Sequence, residues 1–215
     1  MKSIARKQLR ERALAIALCA ALVFLCIPTG ATAAAKYKSP VKIKTNTVKK
    51  IDINGGKKEK VQLVRHKKGA DGPYDMPIVE FTLKINGKAY KTFIEDGISS
   101  AWSLYYVDLN KKDKYKELIV KGSESDGVEI GSNYYIFRYK NGKLVPIKAS
   151  FKYKIPENDY GYEEKLNKSP FVKGLAMRTY GNGIFKMKYY YDYSGERYKW
   201  VTLKIDSKMN VKKVK

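Results

Sequence analysis

The amino-acid sequence predicts an all-β fold built mainly from antiparallel hairpins. Over most of the chain after residue 50, apolar and polar residues alternate with the two-residue period of a half-buried strand. Two Asn-Gly pairs, Asn86-Gly87 and Asn141-Gly142, stand between such segments, and this dipeptide is the strongest short signal for a hairpin. One pattern of turns and strands also occurs twice, which indicates repeated β units.

The first 35 residues have the order of a secretory signal peptide. A basic segment from Lys2 to Arg12 precedes an apolar run from Ala13 to Ile27, and small residues follow at 31–35. The apolar run is shorter than the roughly 20 residues of a membrane anchor. We therefore expect export, cleavage after Ala33 or Ala35, no transmembrane span in the remaining chain, and a secreted or cell-envelope location.

The chain after this segment is strongly basic and lacks cysteine, since Cys19 and Cys26 both lie in the apolar run. The whole sequence has 44 Lys and Arg against 21 Asp and Glu. Removing the five bases and one acid of the signal segment leaves 39 against 20, a net charge of +19. A field of this size favours anionic partners such as teichoic acids, acidic glycans, anionic lipid head groups or extracellular DNA. The alternative is a basic surface without a specific partner, because AT-rich coding also enriches lysine, tyrosine, asparagine and isoleucine.

The predicted strands are assigned in chain order. Residues 36–50 are predicted as a basic linker or an edge strand, because Val41 and Ile43 alternate with lysines. Apolar residues alternate with polar ones over 79–85, and a return strand over 88–94 follows the first Asn-Gly turn. A strand over 101–109 places Trp102, Leu104 and Tyr106 on one face. Further strands are predicted at 117–120, 135–139 and 143–147.

Residues 151–215 are predicted as a C-terminal β unit. Phe185 and Met187 alternate with lysines, Ser194-Gly195 forms a turn, and a strand over 198–205 returns. Trp200, in this return strand, is predicted to lie in the core. One short helix is predicted around 159–167, between two prolines.

Residues 51–150 contain two copies of one unit. The segment Ile51-Asp52-Ile53-Asn54 matches Val107-Asp108-Leu109-Asn110 at an offset of 56 residues. The segments Asn86-Gly87-Lys88 and Asn141-Gly142-Lys143 match at an offset of 55. Each copy therefore begins with an Asp-x-Asn turn and ends with an Asn-Gly hairpin. A third copy, without the Asp-x-Asn turn, is predicted over 169–206.

The turn of the second copy resembles a known family. Residues 108–118 read Asp-Leu-Asn-Lys-Lys-Asp-Lys-Tyr-Lys-Glu-Leu, similar to the Asp-x-Asp/Asn-x-Asp-Gly-x-x-Glu-Leu signature of FG-GAP/VCBS-type repeats. The resemblance covers residues 50–150, about half of the chain. It implies an exported bacterial protein with two to three propeller-blade-like units, whose turns bind calcium.

The candidate calcium ligands of the second copy are oxygen-bearing side chains, as this ion requires. They are Asp108, Asn110, Asp113 and Glu117. Lys112 occupies the next expected ligand position, and the first copy keeps only Asp52, Asn54 and Glu59. Because Asp and Asn also stabilise turns without metal, a turn that is now purely structural is the alternative.

Catalytic motifs are absent from the sequence. His66 is the only histidine and stands beside Arg65 and Lys67, and no G-x-S-x-G, H-E-x-x-H, phosphate-binding glycine loop or C-x-x-C occurs. We predict no catalytic residues and a non-catalytic binding or structural module at the cell envelope. Two alternatives stay open: a carbohydrate-active enzyme, which needs only paired carboxylates, and a subunit of a larger propeller assembly with a protein partner.

Overall fold

The computed structural model describes residues 37–67, 79–95, 102–123, 132–155, 162–190 and 198–214. All regular structure in these residues is β, which confirms the predicted all-β class. The strands are β1 (Val41–Ile43), β2 (Lys49–Ile51), β3 (Glu59–Lys67), β4 (Val79–Ile85), β5 (Lys88–Glu95), β6 (Ser103–Val107), β7 (Glu117–Ser123), β8 (Ser132–Lys140), β9 (Lys143–Pro146), β10 (Lys148–Ala149), β11 (Lys152–Ile155), β12 (Tyr162–Lys165), β13 (Phe171–Gly174), β14 (Ala176–Thr179), β15 (Ile184–Tyr190), β16 (Tyr198–Ile205) and β17 (Asn210–Lys213).

The first unit is an antiparallel sheet in which β2, β3, β4 and β5 pair in chain order. Asn86 and Gly87 connect β4 to β5 and have φ angles of 52° and 83°. Positive φ at both central positions defines the tight hairpin turn that matches strand twist, which is why Asn-Gly forms it. The predicted hairpin is therefore confirmed.

The second unit repeats this strand order in β6, β7, β8 and β9. Its hairpin has φ angles of 51° at Asn141 and 71° at Gly142. The segment 36–50, left open between linker and edge strand, contributes β1, which pairs antiparallel with β6, and most of β2. At the other side, β13 pairs with the first half of β8.

The C-terminal sheet has the order β10-β17-β16-β15-β14. Strands β14 to β17 again form an antiparallel meander, and β10 joins its edge in parallel with β17. Part of the predicted third copy does not belong to this sheet, because β13 pairs with β8 of the second unit.

The short helix predicted around 159–167 is wrong for the residues that the structure describes. Tyr162–Lys165 forms β12, which pairs antiparallel with β11 through Lys154↔Glu163 and Lys152↔Lys165. Pairing with a neighbouring strand satisfies the backbone N–H and C=O groups of this segment and overrides its weak helical preference. Residues 156–161 lie outside the described residues, and no helix occurs in the part of the chain that the structure describes.

Two hydrophobic clusters lie on opposite faces of the second unit's sheet. One cluster contains Leu83 of the first unit together with Leu118 of β7. The other contains Ile119 of β7 together with Phe185 and Leu203 of the C-terminal sheet. Consecutive residues of a strand point to opposite faces, so β7 is buried on both sides and the three sheets stack in layers. The predicted shared face of Trp102, Leu104 and Tyr106 lies in the first of these clusters.

Candidate functional site

The predicted calcium ligands lie around the turn between β6 and β7, and the structure places an arginine among them. Glu117 is 0 % exposed and its Oε2 accepts a hydrogen bond of 3.1 Å from the Leu109 backbone N–H. Its Oε1 accepts from Nε of Arg138 at 3.0 Å and also from Nη2 of the same side chain. Arg138 is only 4 % exposed and lies in β8. A buried carboxylate is thus neutralised by a buried guanidinium.

Asp113 provides a second carboxylate to Arg138. Its Oδ2 lies 3.1 Å from Nη2 of Arg138, and its Oδ1 accepts a bond of 3.0 Å from the Tyr115 N–H. The Tyr115 ring lies below the guanidinium, with 4.9 Å between the ring centroid and Cζ. Arg138 is therefore fixed by two carboxylates and one aromatic face.

The motif did not reveal Arg138, although the sequence contained a signal for it. Ile136 and Arg138 share one face of β8, and Ile136 is fully buried. Arginine on a core-facing position is rare unless it is paired with a buried acid. A core-facing Arg138 therefore predicts a carboxylate in a neighbouring turn.

Burial perturbs two carboxylates of this turn in the same direction. Desolvation raises the pKa of Glu117, although the hydrogen bond and charge of Arg138 oppose the rise. Desolvation also raises the pKa of Asp108, and the charge of Asp113 adds to this effect. Asp108 Oδ1 is buried and has no hydrogen-bond partner in the part of the chain that the structure describes.

A calcium ion requires several oxygen atoms that are free to coordinate it. Among the side-chain oxygens of the four candidate ligands, only Asp108 Oδ1 is buried without a partner in the described residues, and this observation favours a cation ligand. Glu117 and Asp113 face Arg138 instead, and Asn110 Oδ1 accepts a bond of 3.3 Å from Lys112 N–H. Within the described residues no three His, Cys, Asp or Glu side chains lie close enough to share a metal. The arrangement does not fit an ion held by all four residues, and calcium binding stays a prediction for solution measurement.

The turn of the first unit uses its carboxylate in the same way. Glu59 is 5 % exposed; its Oε2 accepts from Ile53 N–H at 3.2 Å and its Oε1 from Asn54 Nδ2 at 2.6 Å. Asp52 Oδ1 accepts from the N–H groups of Gly55 at 2.7 Å and Gly56 at 3.0 Å. Desolvation opposes the effect, but these bonds together lower the pKa of Asp52. In both units a buried glutamate therefore holds the start of its turn.

A second candidate site is the outer face of the C-terminal sheet. Phe185, Met187, Val201 and Leu203 point into the core, so the alternate residues of β15 and β16 point away from it. We define the basic aromatic face by these outward residues and their neighbours: Tyr37, Arg178, Tyr180, Lys186, Lys188, Tyr198, Trp200 and Lys204. Trp200 is only partly buried, so its predicted core position is wrong. Val201, Leu203 and Ile205 fill the core positions of β16 instead.

Aromatic rings hold the cations of this face. The Arg178 guanidinium lies between two rings, with Cζ 4.4 Å from the centroid of Tyr37 and 4.4 Å from that of Trp200. Tyr37 is brought there because the neighbouring Lys38 pairs with Thr179 through backbone bonds of 2.8 and 3.0 Å. Lys188 Nζ lies 3.5 Å from the centroid of Tyr198. Each distance is within the range of a cation–π contact.

The charge of this face is uniformly positive in the strands that carry it. Strands β14 to β17 contain no Asp or Glu. Asp206, in the turn between β16 and β17, directs Oδ1 to the N–H groups of Lys208 at 2.8 Å and Asn210 at 2.9 Å. No hydrogen bond or ion pair to the Arg178 guanidinium is found among the described residues. The face therefore presents cations that the neighbouring strands do not neutralise.

The residues of the enzymatic alternative are only partly described. His66 is exposed at the end of β3. The candidate carboxylates for a catalytic pair are seven in the sequence. Glu95 ends β5 and Glu163 and Glu164 lie in β12, whereas Asp96, Glu124, Asp126 and Glu129 lie outside the described residues. The buried glutamates that are described, Glu59 and Glu117, both accept backbone N–H bonds as structural groups.

Comparison with models of known protein families, with curated proteins and with solved structures found no match to this chain. In the described residues there is no helix with the length and apolar character that crossing a membrane requires.

Proposed function

We propose that this chain is an exported, non-catalytic binding module that holds anionic polymers of the cell envelope on its basic aromatic face. The stacking of Arg178 between Tyr37 and Trp200 is the observation that carries the proposal. Together with Lys186, Lys188 and Lys204 it forms a group of cations on one face of three neighbouring strands.

The rings make these cations better ligands for anions. Lysine and arginine side chains lose much conformational entropy when they bind, and a side chain already held against a ring loses less. The planar guanidinium keeps its N–H groups at its edge when its two faces are stacked, so it can still form paired bonds to a phosphate or carboxylate. The rings are covered by cations, so the face offers charge in preference to an open stacking platform.

The test measures binding of the purified chain to immobilised teichoic acid over a series of salt concentrations. Lys188→Ala/Lys204→Ala removes two cations from the basic aromatic face. Lys199→Ala/Lys213→Ala removes two cations from β16 and β17 of the same sheet, at positions of opposite register, so the two double variants have equal net charge. We expect the first variant to weaken binding by at least about tenfold and the control by much less.

The salt dependence provides the second criterion. Binding through released counterions weakens steadily as salt rises, and the slope becomes smaller when contacts are removed. Equal losses in both double variants mean that net charge alone causes retention, and salt-independent binding or no binding contradicts the proposal outright.

A further inference from the structure

The two repeat units meet at one end of their sheets. In each unit the turn after the first strand and the Asn-Gly hairpin leave the sheet at the same end, since four antiparallel strands pair in chain order. Packing between the units places these four loops side by side. The Lys116 N–H donates a 3.1 Å bond to the Ile53 carbonyl, which joins the two turns.

Tight contacts hold the loops in place. A Cβ at Gly55 overlaps the side chain of Lys114, so the two turns touch without room for a side chain. On the hairpin side, the Tyr90 hydroxyl donates a 3.1 Å bond to the Gly142 carbonyl and lies 3.2 Å from the Tyr139 hydroxyl. Contacts from both units therefore hold the four loops in position.

A cavity of about 480 Å³ lies between these loops. Its size is within the range of small-molecule sites. Its polar lining differs from the apolar lining that most such sites have, and it includes amides, phenols and two lysines: Asn54, Lys57, Asn86, Lys114, Tyr139 and Asn141. Tyr115 adds an aromatic ring, and Glu59 closes the inner side.

The chemistry of the lining indicates its ligand. Amides and phenols both donate and accept hydrogen bonds, which suits a ligand with many hydroxyl groups. The bond to Tyr90 raises the pKa of Tyr139 to about 12, so its hydroxyl stays neutral at ordinary pH. Glu59 already bonds Ile53 N–H and Asn54 Nδ2, and no ion pair to Lys57 or Lys114 is found among the described residues. Two such lysines favour one acidic group on the ligand.

We propose that this cavity binds a short acidic saccharide, one or two sugar units with a carboxylate near Lys57 and Lys114. The site is formed by residues other than those of the basic aromatic face, and it selects a small ligand by hydroxyl pattern as well as charge.

The experiment is a titration of the full chain with digalacturonate, followed by NMR. Its fully methyl-esterified form has the same size and hydroxyls without the charge, and inorganic phosphate has charge without the hydroxyls. We expect digalacturonate to bind, and both other probes to bind at least about tenfold more weakly, a difference of about 1.4 kcal/mol. Equal binding of the ester or of phosphate overturns the proposal, as does an absence of binding at millimolar digalacturonate.

Matched variants locate the site. Lys57→Ala removes a lining cation, whereas Lys58→Ala removes its exposed neighbour, which does not line the cavity. Gly56→Leu fills the cavity, because this glycine lies outside the left-handed region and a Cβ there meets only Asn54 Oδ1 at 3.2 Å. We expect at least about a tenfold loss of digalacturonate binding in Lys57→Ala and little change in Lys58→Ala.

The two binding proposals can fail separately. Lys188→Ala/Lys204→Ala should leave digalacturonate binding unchanged, and Lys57→Ala should leave retention on teichoic acid unchanged. Loss of digalacturonate binding in the first variant, or equal losses in Lys57→Ala and Lys58→Ala, places the saccharide elsewhere and overturns the inference.

Discussion

Replacing Arg138 with methionine tests the role of the buried ion pair. Methionine keeps an unbranched apolar stem but removes every N–H donor. Glu117 Oε1 then loses both of its donors, and only the Leu109 N–H bond to Oε2 remains. Asp113 is 22 % exposed and keeps water as a partner, so most of the cost falls on Glu117, which is 0 % exposed. Breaking a buried pair in this way costs about 3–5 kcal/mol.

The assay is urea unfolding followed by tryptophan fluorescence, at neutral pH and again in acid. Burial raises the pKa of Glu117, and loss of Arg138 removes an interaction that opposes the rise. A carboxyl whose pKa is raised in the folded state adds to the free energy of unfolding at pH values below its ordinary pKa of 4.5. That contribution is lost as the pH rises through the pKa of the folded state. The deficit of Arg138→Met should therefore be smaller near pH 4 than at pH 7.

Two further variants complete the test. Arg65→Met removes an exposed arginine from β3 and should change the free energy of unfolding by no more than about 0.5 kcal/mol. Adding Glu117→Gln to Arg138→Met removes the uncompensated charge and should recover much of the stability. A deficit no larger than that of Arg65→Met, or one that does not shrink in acid, refutes the reasoning.

Three other predictions concern the turns. If the site predicted from the sequence binds calcium, millimolar calcium should raise the thermal unfolding midpoint of the wild-type chain by several degrees. Asp108→Ala should abolish this rise. Identical unfolding curves in calcium and in chelator count against calcium binding. Asp108→Asn should stabilise the chain at pH 7, because burial raises the pKa of Asp108 and so disfavours its charged form in the folded state. The gain should shrink as the pH falls through this raised pKa and should be lost below the ordinary value of 3.8. Urea unfolding at pH 7 and in acid measures the gain, and a gain that grows in acid contradicts the prediction. Gly55→Ala and Gly142→Ala both place alanine at positive φ, 74° and 71°, at a cost of roughly 1 kcal/mol. Only in Gly55→Ala does the new Cβ also collide with Lys114, which should lower the free energy of unfolding by a further roughly 1–3 kcal/mol. Equal unfolding midpoints for the two variants would exclude tight packing between the turns.

Much of the strand structure was predictable because two local rules act together. The two-residue period identifies the buried positions of β4 and β15, and Asn-Gly fixes where a hairpin turns. Both rules depend only on residues close in sequence. The motif also singled out Glu117, as a calcium ligand, and the structure places it at the start of β7 in a buried ion pair with Arg138.

The errors arose where a residue's environment depends on which strand pairs with it. The segment 162–165 became a strand because β11 pairs with it, which local preference does not reveal. The strand period places Trp200 in the core, although Val201 and Leu203 occupy the buried register of this strand. The partner of Glu117 was missed because Arg138 is 21 residues away, across a different strand.

The two-sided burial of β7 has a consequence for folding during synthesis. The cluster that includes Leu83 and Leu118 is built entirely from residues 43–144, so it can assemble before the C-terminal sheet exists. At that stage Ile119 and Ile136 have no covering layer, because Phe185 and Leu203 come later in the chain. The incomplete chain therefore exposes an apolar sheet face, the kind of surface that drives aggregation. Truncation before residue 176 should leave a protein that forms half of its interior and depends on chaperones to stay dispersed.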